Sequence, residues 1–179
     1  MIRSEDFIIK DRQQGFTPVE LLIVVAIIGI AATIAIPIMM DAWDTARQKR
    51  TMVDLHELAI ALKSYQVDRN FYPFGAEGYV TPQSYVYRAI NIYKDLSPLN
   101  CLDGWDNNFY YWPGGNTMAT ARSYTLGSFG KGAFEDRIVV SMFKCFQCDI
   151  RISNGRFFLK PDGPQRDSPT HYCDPEHCR

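Results

Sequence analysis

One carboxylate in this chain sits where a carboxylate is energetically expensive. Glu20 stands at the edge of Leu21–Met40, a run of 20 residues without a charge, interrupted only by Gly29, Thr33 and Pro37. As a helix, such a run matches the ~30 Å hydrocarbon core of a bilayer. An ionisable side chain at that depth costs about 2.5–3.5 kcal/mol even on the most lenient insertion scale. The chemistry open to Glu20 is therefore ion pairing, since a cation brought beside it in the apolar layer removes much of the penalty. A second set of chemically capable residues is sulfur. Of five cysteines, Cys145 and Cys148 form one close pair, and Cys173 and Cys178 another, with 24 residues between the pairs. Such pairs can close disulfides, supply thiolates to Zn²⁺ with His171 and His177 as substitutes, or remain free and redox-active. The gap is longer than the roughly 15–20 residues of a ribbon-type zinc site. The spacing leaves all three open.

The elements that must position these groups are partly legible. Beyond Met40 the apolar run becomes an amphipathic pattern, with Leu55, Leu58, Ala59, Leu62 and Tyr65 recurring every three or four residues and Asp54, Glu57, Lys63 and Asp68 off that stripe. The pattern predicts one long helix from about Thr17 to Asp68. Pro37 lies inside it and is expected to kink or locally loosen it. Tyr72-Pro73 ends it, because the residue before a proline disfavours helix. A short helix is expected over Ser84–Lys94 and a turn at Pro113-Gly114-Gly115, with strands at Ser123–Ser128, Ile138–Phe143 and Arg156–Leu159. The Pro- and Asp-bearing tail from Pro161 onward reads as loosely structured. The chain has 179 residues, 46% of them hydrophobic and 13% aromatic, which suits one small α+β domain on an anchor helix. A net charge of −1 gives no electrostatic reason to expect nucleic acid.

Gly15-Phe16-Thr17-Pro18-Val19-Glu20-Leu21-Leu22 resembles the processing site of type IV prepilins and of type II secretion pseudopilins. The resemblance implies that a membrane prepilin peptidase cuts between Gly15 and Phe16 and N-methylates Phe16. It places Glu20 fifth in the processed chain, with Gly29 and Pro37 also on family positions. Pro18 departs from the small aliphatic residue usual in the family, and proline is tolerated in the first turn of a helix. A secretory signal would have a shorter apolar region and a small-x-small cleavage site, and a plain anchor does not explain Gly-Phe-x-x-x-Glu. The resemblance continues through Asp103-Gly104-Trp105-Asp106-Asn107-Asn108-Phe109-Tyr110-Tyr111 and Tyr124-Thr125-Leu126-Gly127, stretches similar to those in the head of major pseudopilins.

What the resemblance implies is a structural role. Residues 1–15 would be a leader, 16–40 the transmembrane part of the helix, and 41–179 a pilin-like head in the periplasm with the chain anchored once in the inner membrane. Partners would be copies of the chain and other pilins in a filament, the prepilin peptidase, and an assembly platform with its ATPase. Glu20 would neutralise the N-terminal amine of a neighbouring subunit, with Gly29 and Pro37 serving assembly. The far-side cations Arg47, Lys49 and Arg50 nearly balance the leader's, so charge alone does not orient the anchor. Major pseudopilins hold Ca²⁺ in the loop after this strand. Here that loop, Gly127–Asp136, offers Glu135 and Asp136 late and carries Lys131 in the middle, so calcium has weak candidates only. The head motifs favour a type II secretion pseudopilus, and the altered loop and extra cysteines a type IV pilus. The alternative is a membrane-tethered extracytoplasmic zinc- or thiol-binding module built on the cysteines. No enzyme motif stands out: Gly127–Gly132 is not followed by Lys-Ser or Lys-Thr, His56 lies among charged helix positions, and nothing brings Cys148 and His171 together.

Overall fold

A computed structural model describes residues 15–75, 77–93, 99–135 and 142–167. The chain divides into two compact units, Met1–Met39 and Met40–Arg179. Helix α1 runs over Pro18–Arg69, within one residue of the expected span at each end. The helix runs through Pro37 without a break.

In the first unit α1 is a bare apolar rod. From Leu21 to Met39 no side chain is buried, and Ala32 alone is half-covered. This is the one helix among the described residues long and apolar enough to cross a membrane.

In the second unit the remainder of α1 carries a packed face. Leu55, Leu58, Ala59, Leu62 and Tyr65 are all buried, as their spacing requires. The helix ends at Asn70, whose φ of +66° takes the chain into the left-handed region while its N–H closes on Gln66 O at 2.8 Å. Strand β1 (Gly78–Tyr79) follows, then the short helix α2 (Tyr85–Ile90) and a 3₁₀ turn at Asn91–Tyr93. Ser84 caps α2 by accepting a hydrogen bond from Tyr87 N at 3.2 Å. Lys94, the expected end of this segment, lies outside the described residues.

The sheet comprises β1, β2 (Tyr110–Pro113), β3 (Tyr124–Ser128), β4 (Met142–Cys145), β5 (Ile150–Ser153) and β6 (Arg156–Arg166), in the order β1-β2-β3-β5-β6-β4. All pairings are antiparallel except β4 with β6. Of the expected Ile138–Phe143 strand, residues 138–141 lie outside the described residues, and β4 extends to Cys145. The expected loose tail is corrected in part, because β6 continues through Pro161 to Arg166. β5, which was not anticipated, turns into β6 at Asn154-Gly155, both with positive φ (48° and 81°). That is the two-residue hairpin whose twist matches the strands. One core joins α1, α2 and the sheet through Leu55, Leu62, Ile90, Phe109, Tyr111, Tyr124, Leu126 and Ile152. The Tyr111 hydroxyl reaches Pro73 O at 2.7 Å, so its buried polar end is satisfied.

Candidate functional site

Gly15 and Phe16 are exposed just ahead of α1. Thr17, Pro18, Val19 and Glu20 build the first turn as a capping box with proline at the first helical position. Thr17 Oγ1 accepts from Glu20 N at 3.3 Å, while Glu20 Oε2 accepts from Thr17 N and from Thr17 Oγ1, each at 2.8 Å. This holds the Glu20 carboxylate back toward Phe16 rather than along the apolar rod. The Thr-x-x-Glu pattern is itself a helix-start signal in the sequence, a capping box that the hydropathy pattern alone does not register. Further along, a Cβ added at Gly29 would meet nothing within 4 Å. Thr33 Oγ1 donates back to Gly29 O at 2.7 Å. Among the described residues nothing requires glycine at position 29.

The second site gathers around a polar stripe on α1. Asp44, Gln48 and Thr51 are buried, spaced by four and three, directly N-terminal to the apolar stripe that begins at Leu55. A core-facing polar patch of this kind needs partners for every group, and the partners come from far along the chain. Thr51 Oγ1 accepts from Gly104 N at 2.8 Å and itself donates to Arg47 O at 3.0 Å. Gly104 lies so close to the helix that a Cβ there would stand 2.4 Å from Arg47 O. Trp105 Nε1 donates to Asp44 Oδ1 at 3.3 Å, and Gln48 Nε2 to Gln165 Oε1 at 3.4 Å.

Asp103, buried, holds this turn to the sheet. Its Oδ1 accepts from Trp105 N and Asn107 N at 2.8 and 2.9 Å, and its Oδ2 from Ser128 Oγ at 2.7 Å. Burial pushes the Asp103 carboxyl above its ordinary pKa, against the opposing effect of those hydrogen bonds. The loop after β3 begins at Phe129 and makes a 3₁₀ turn at Gly130–Gly132. Gly130 has φ +61°, and a Cβ there would press on Cys148 O and Phe146 O at 2.6 and 2.7 Å. Its carbonyl accepts from Asn107 Nδ2 at 3.1 Å.

Lys131 closes the cluster. Its Nζ lies 2.7 Å from Asp44 Oδ2 and 2.8 and 2.7 Å from the Asp167 oxygens. Burial by itself lowers the ammonium's pKa, but the hydrogen bonds and charges of Asp167 and Asp44 outweigh it and raise the value above the ordinary one. Gln147 Nε2 also donates to Asp167 Oδ1 at 3.0 Å.

The described part of the loop offers few free oxygens toward the six to eight that calcium asks for. Glu135 Oε1 is paired with Arg151 Nη2 at 3.1 Å, an ammonium stands in the middle of the loop, and Asp136 lies outside the described residues. Among the described residues no three His, Cys, Asp or Glu side chains converge as a metal site. Cys145 and Cys148 are both disulfide-bonded, so neither sulfur is a thiolate available to zinc. Cys173, Cys178, His171 and His177 lie outside the described residues. Cys101 is free and buried, and burial raises its thiol pKa. His56 is exposed on α1.

Comparison with known proteins adds the following. Residues 10–36 match the family model of the prokaryotic N-terminal methylation motif, and residues 38–137 that of type II secretion system protein G. Among curated relatives named type II secretion system core protein G, that of Vibrio cholerae is 32% identical over 67% of this chain and 84% of the relative. The Pseudomonas aeruginosa protein is 33% identical over 71% and 92%, and the Aeromonas hydrophila protein 29% over 77% and 99%. No solved structure matches the chain.

Proposed function

This chain belongs to the protein G family of type II secretion systems, and on that premise we propose that it is a pseudopilin, a structural subunit of the secretion pseudopilus. Residues 1–15 act as the leader, 16–40 as the membrane segment, and 41–179 as a head on the periplasmic side of the inner membrane. A prepilin peptidase cuts between Gly15 and Phe16 and methylates the new amine. An assembly platform with its ATPase then draws the subunit from the membrane into a filament of its own kind and related pilins.

One observation carries this reading: a helix start of Gly-Phe-Thr-Pro-Val-Glu opens an apolar rod in which, among the described residues, no side chain is buried from Leu21 to Met39. Such a rod must be covered by lipid or by other apolar helices. Glu20, held by its cap toward the terminus, is placed to meet an amine there, which relieves the penalty of a carboxylate in an apolar layer. Gly29, where an added Cβ would meet no described atom within 4 Å, suits a close approach between helices.

The test is the N-terminal mass of the protein isolated from its native membrane. The expected chain starts at N-methylated Phe16. A chain still starting at Met1, from cells with an active peptidase, would reduce the apolar segment to an ordinary anchor and overturn the reading.

A further inference from the structure

We propose that the ammonium of Lys131 is a built-in cation standing in place of calcium, joining α1, the loop after β3 and the end of β6 in a joint that needs no divalent metal. The proposal concerns the fold of the head and stands apart from the filament reading.

Three observations carry it. First, Lys131 Nζ lies within 2.8 Å of oxygens on two carboxylates that come from distant parts of the chain, Asp44 on α1 and Asp167 just past β6. Bridging carboxylates from separate segments is what a structural cation does, and here a side chain does it. Second, the joint is fixed around that side chain. The Lys131 backbone N–H donates to Phe146 O at 2.9 Å, Trp105 Nε1 holds the other oxygen of Asp44 at 3.3 Å, and Gln147 Nε2 holds Asp167 at 3.0 Å. Third, the loop's described carboxylate is already neutralised, since Glu135 pairs with Arg151, whose guanidinium also binds Asp149 and lies 4.7 Å from the centroid of the Trp112 ring. A divalent ion brought to Asp44 and Asp167 would face the ammonium at contact distance and be repelled by it. The raised pKa of Lys131 agrees with a cation that stays charged in place.

The experiment is thermal unfolding of the full chain in detergent, in about 1 mM CaCl₂, where weak extracellular calcium sites fill, and again with a chelator in excess. The wild-type Tm is expected to be the same in both. Lys131→Met, which keeps the stem and removes the charge, is expected to lower Tm by roughly 5 °C or more in chelator, since about 1 kcal/mol moves a small domain by several degrees. Should that variant fail to fold, Asp167→Asn, altered at the more exposed partner, is expected to show a smaller fall in Tm with a wild-type core. A wild-type Tm raised several degrees by calcium, or variants as stable as wild type in chelator, overturns the proposal.

Discussion

Replacing Asp103 by Ala and by Asn separates two things this buried carboxylate does. In the native turn it accepts three hydrogen bonds, from Trp105 N, Asn107 N and Ser128 Oγ. Asp103→Ala orphans all three donors. At about 1–3 kcal/mol for each donor left unpaired, and with the part-buried backbone donors open to relaxation and water that reduce the sum, the expected loss is about 3–5 kcal/mol. For a head of this size that is roughly 10–20 °C in Tm. Asp103→Asn keeps the Oδ1 acceptor for both backbone N–H groups and removes the buried charge. Its expected loss is below about 1.5 kcal/mol.

The pH dependence follows from the direction of the shift. Burial holds the Asp103 pKa above its ordinary value of roughly 3.9, so the folded state binds this proton more tightly than the unfolded state does. The stabilisation from protonated Asp103 is therefore complete below the unfolded pKa and is lost as pH rises through the folded one. Asn imitates the protonated form, so the stability gap between wild type and Asp103→Asn should move in favour of the variant as pH climbs from about 4 through the folded pKa. Urea unfolding of the full chain in detergent, at several pH values, reads both effects. Equal losses for Ala and Asn, or a gap that does not change with pH, would refute the reasoning.

Two further substitutions probe contacts that geometry fixes. Gly104→Ala places a methyl 2.4 Å from the Arg47 carbonyl oxygen, a backbone atom that cannot swing aside; the expected loss is about 1–3 kcal/mol or more, visible as a lower urea midpoint with an unchanged slope. Gly29→Ala meets open space in the subunit and removes a helix-interior glycine, so the purified chain should be as stable or gain up to about 1 kcal/mol in helix stability. Filament yield should nonetheless fall, because the added methyl intrudes where helices approach; normal yield would remove Gly29 from the assembly surface.

The residues that the sequence made legible are those whose role is set by near neighbours. The ends of α1 were readable within one residue, because the apolar run, the Leu55–Tyr65 stripe and Tyr72-Pro73 are local signals. Ser153-Asn154-Gly155-Arg156 was equally local and was overlooked, although Asn-Gly between Ile150-Arg-Ile and Phe157-Phe-Leu is a strong hairpin signal. β6 beyond Leu159 was harder. Pro161 and Pro164 argue against a strand, yet β6 runs through both, and its pairing with β4 shifts register between Phe143 and Cys145 opposite this stretch. The polar joint was illegible for a different reason. Asp44, Gln48 and Thr51 occupy core-facing positions of the same stripe as Leu55, but their partners lie 53 to 117 residues away. No periodicity distinguishes a buried polar residue with distant partners from an exposed one.

The two units solve the problem of covering side chains in opposite ways, and the difference bears on how such a subunit works. In the head, polar groups facing the core are paired within the chain, down to a lysine that supplies its own cation. In the first unit no described side chain is buried: Leu21, Leu22, Ile27, Ile30, Ile34 and Ile38 are each 58–70% exposed. Burying a side chain of this type is worth about 1.5–3 kcal/mol, so leaving these six in water costs about as much as the whole stability of a small domain. Lipid tails and neighbouring apolar helices are both acceptable covers, and moving between them changes little apolar exposure. When the large term nearly cancels, small terms decide. On the proposed assembly, those would be a close approach at Gly29 and the pairing of Glu20, whose carboxylate is poorly served by lipid and well served by an amine. A transfer from membrane to filament would then turn on the groups at Glu20 and Gly29 rather than on the apolar surface as a whole.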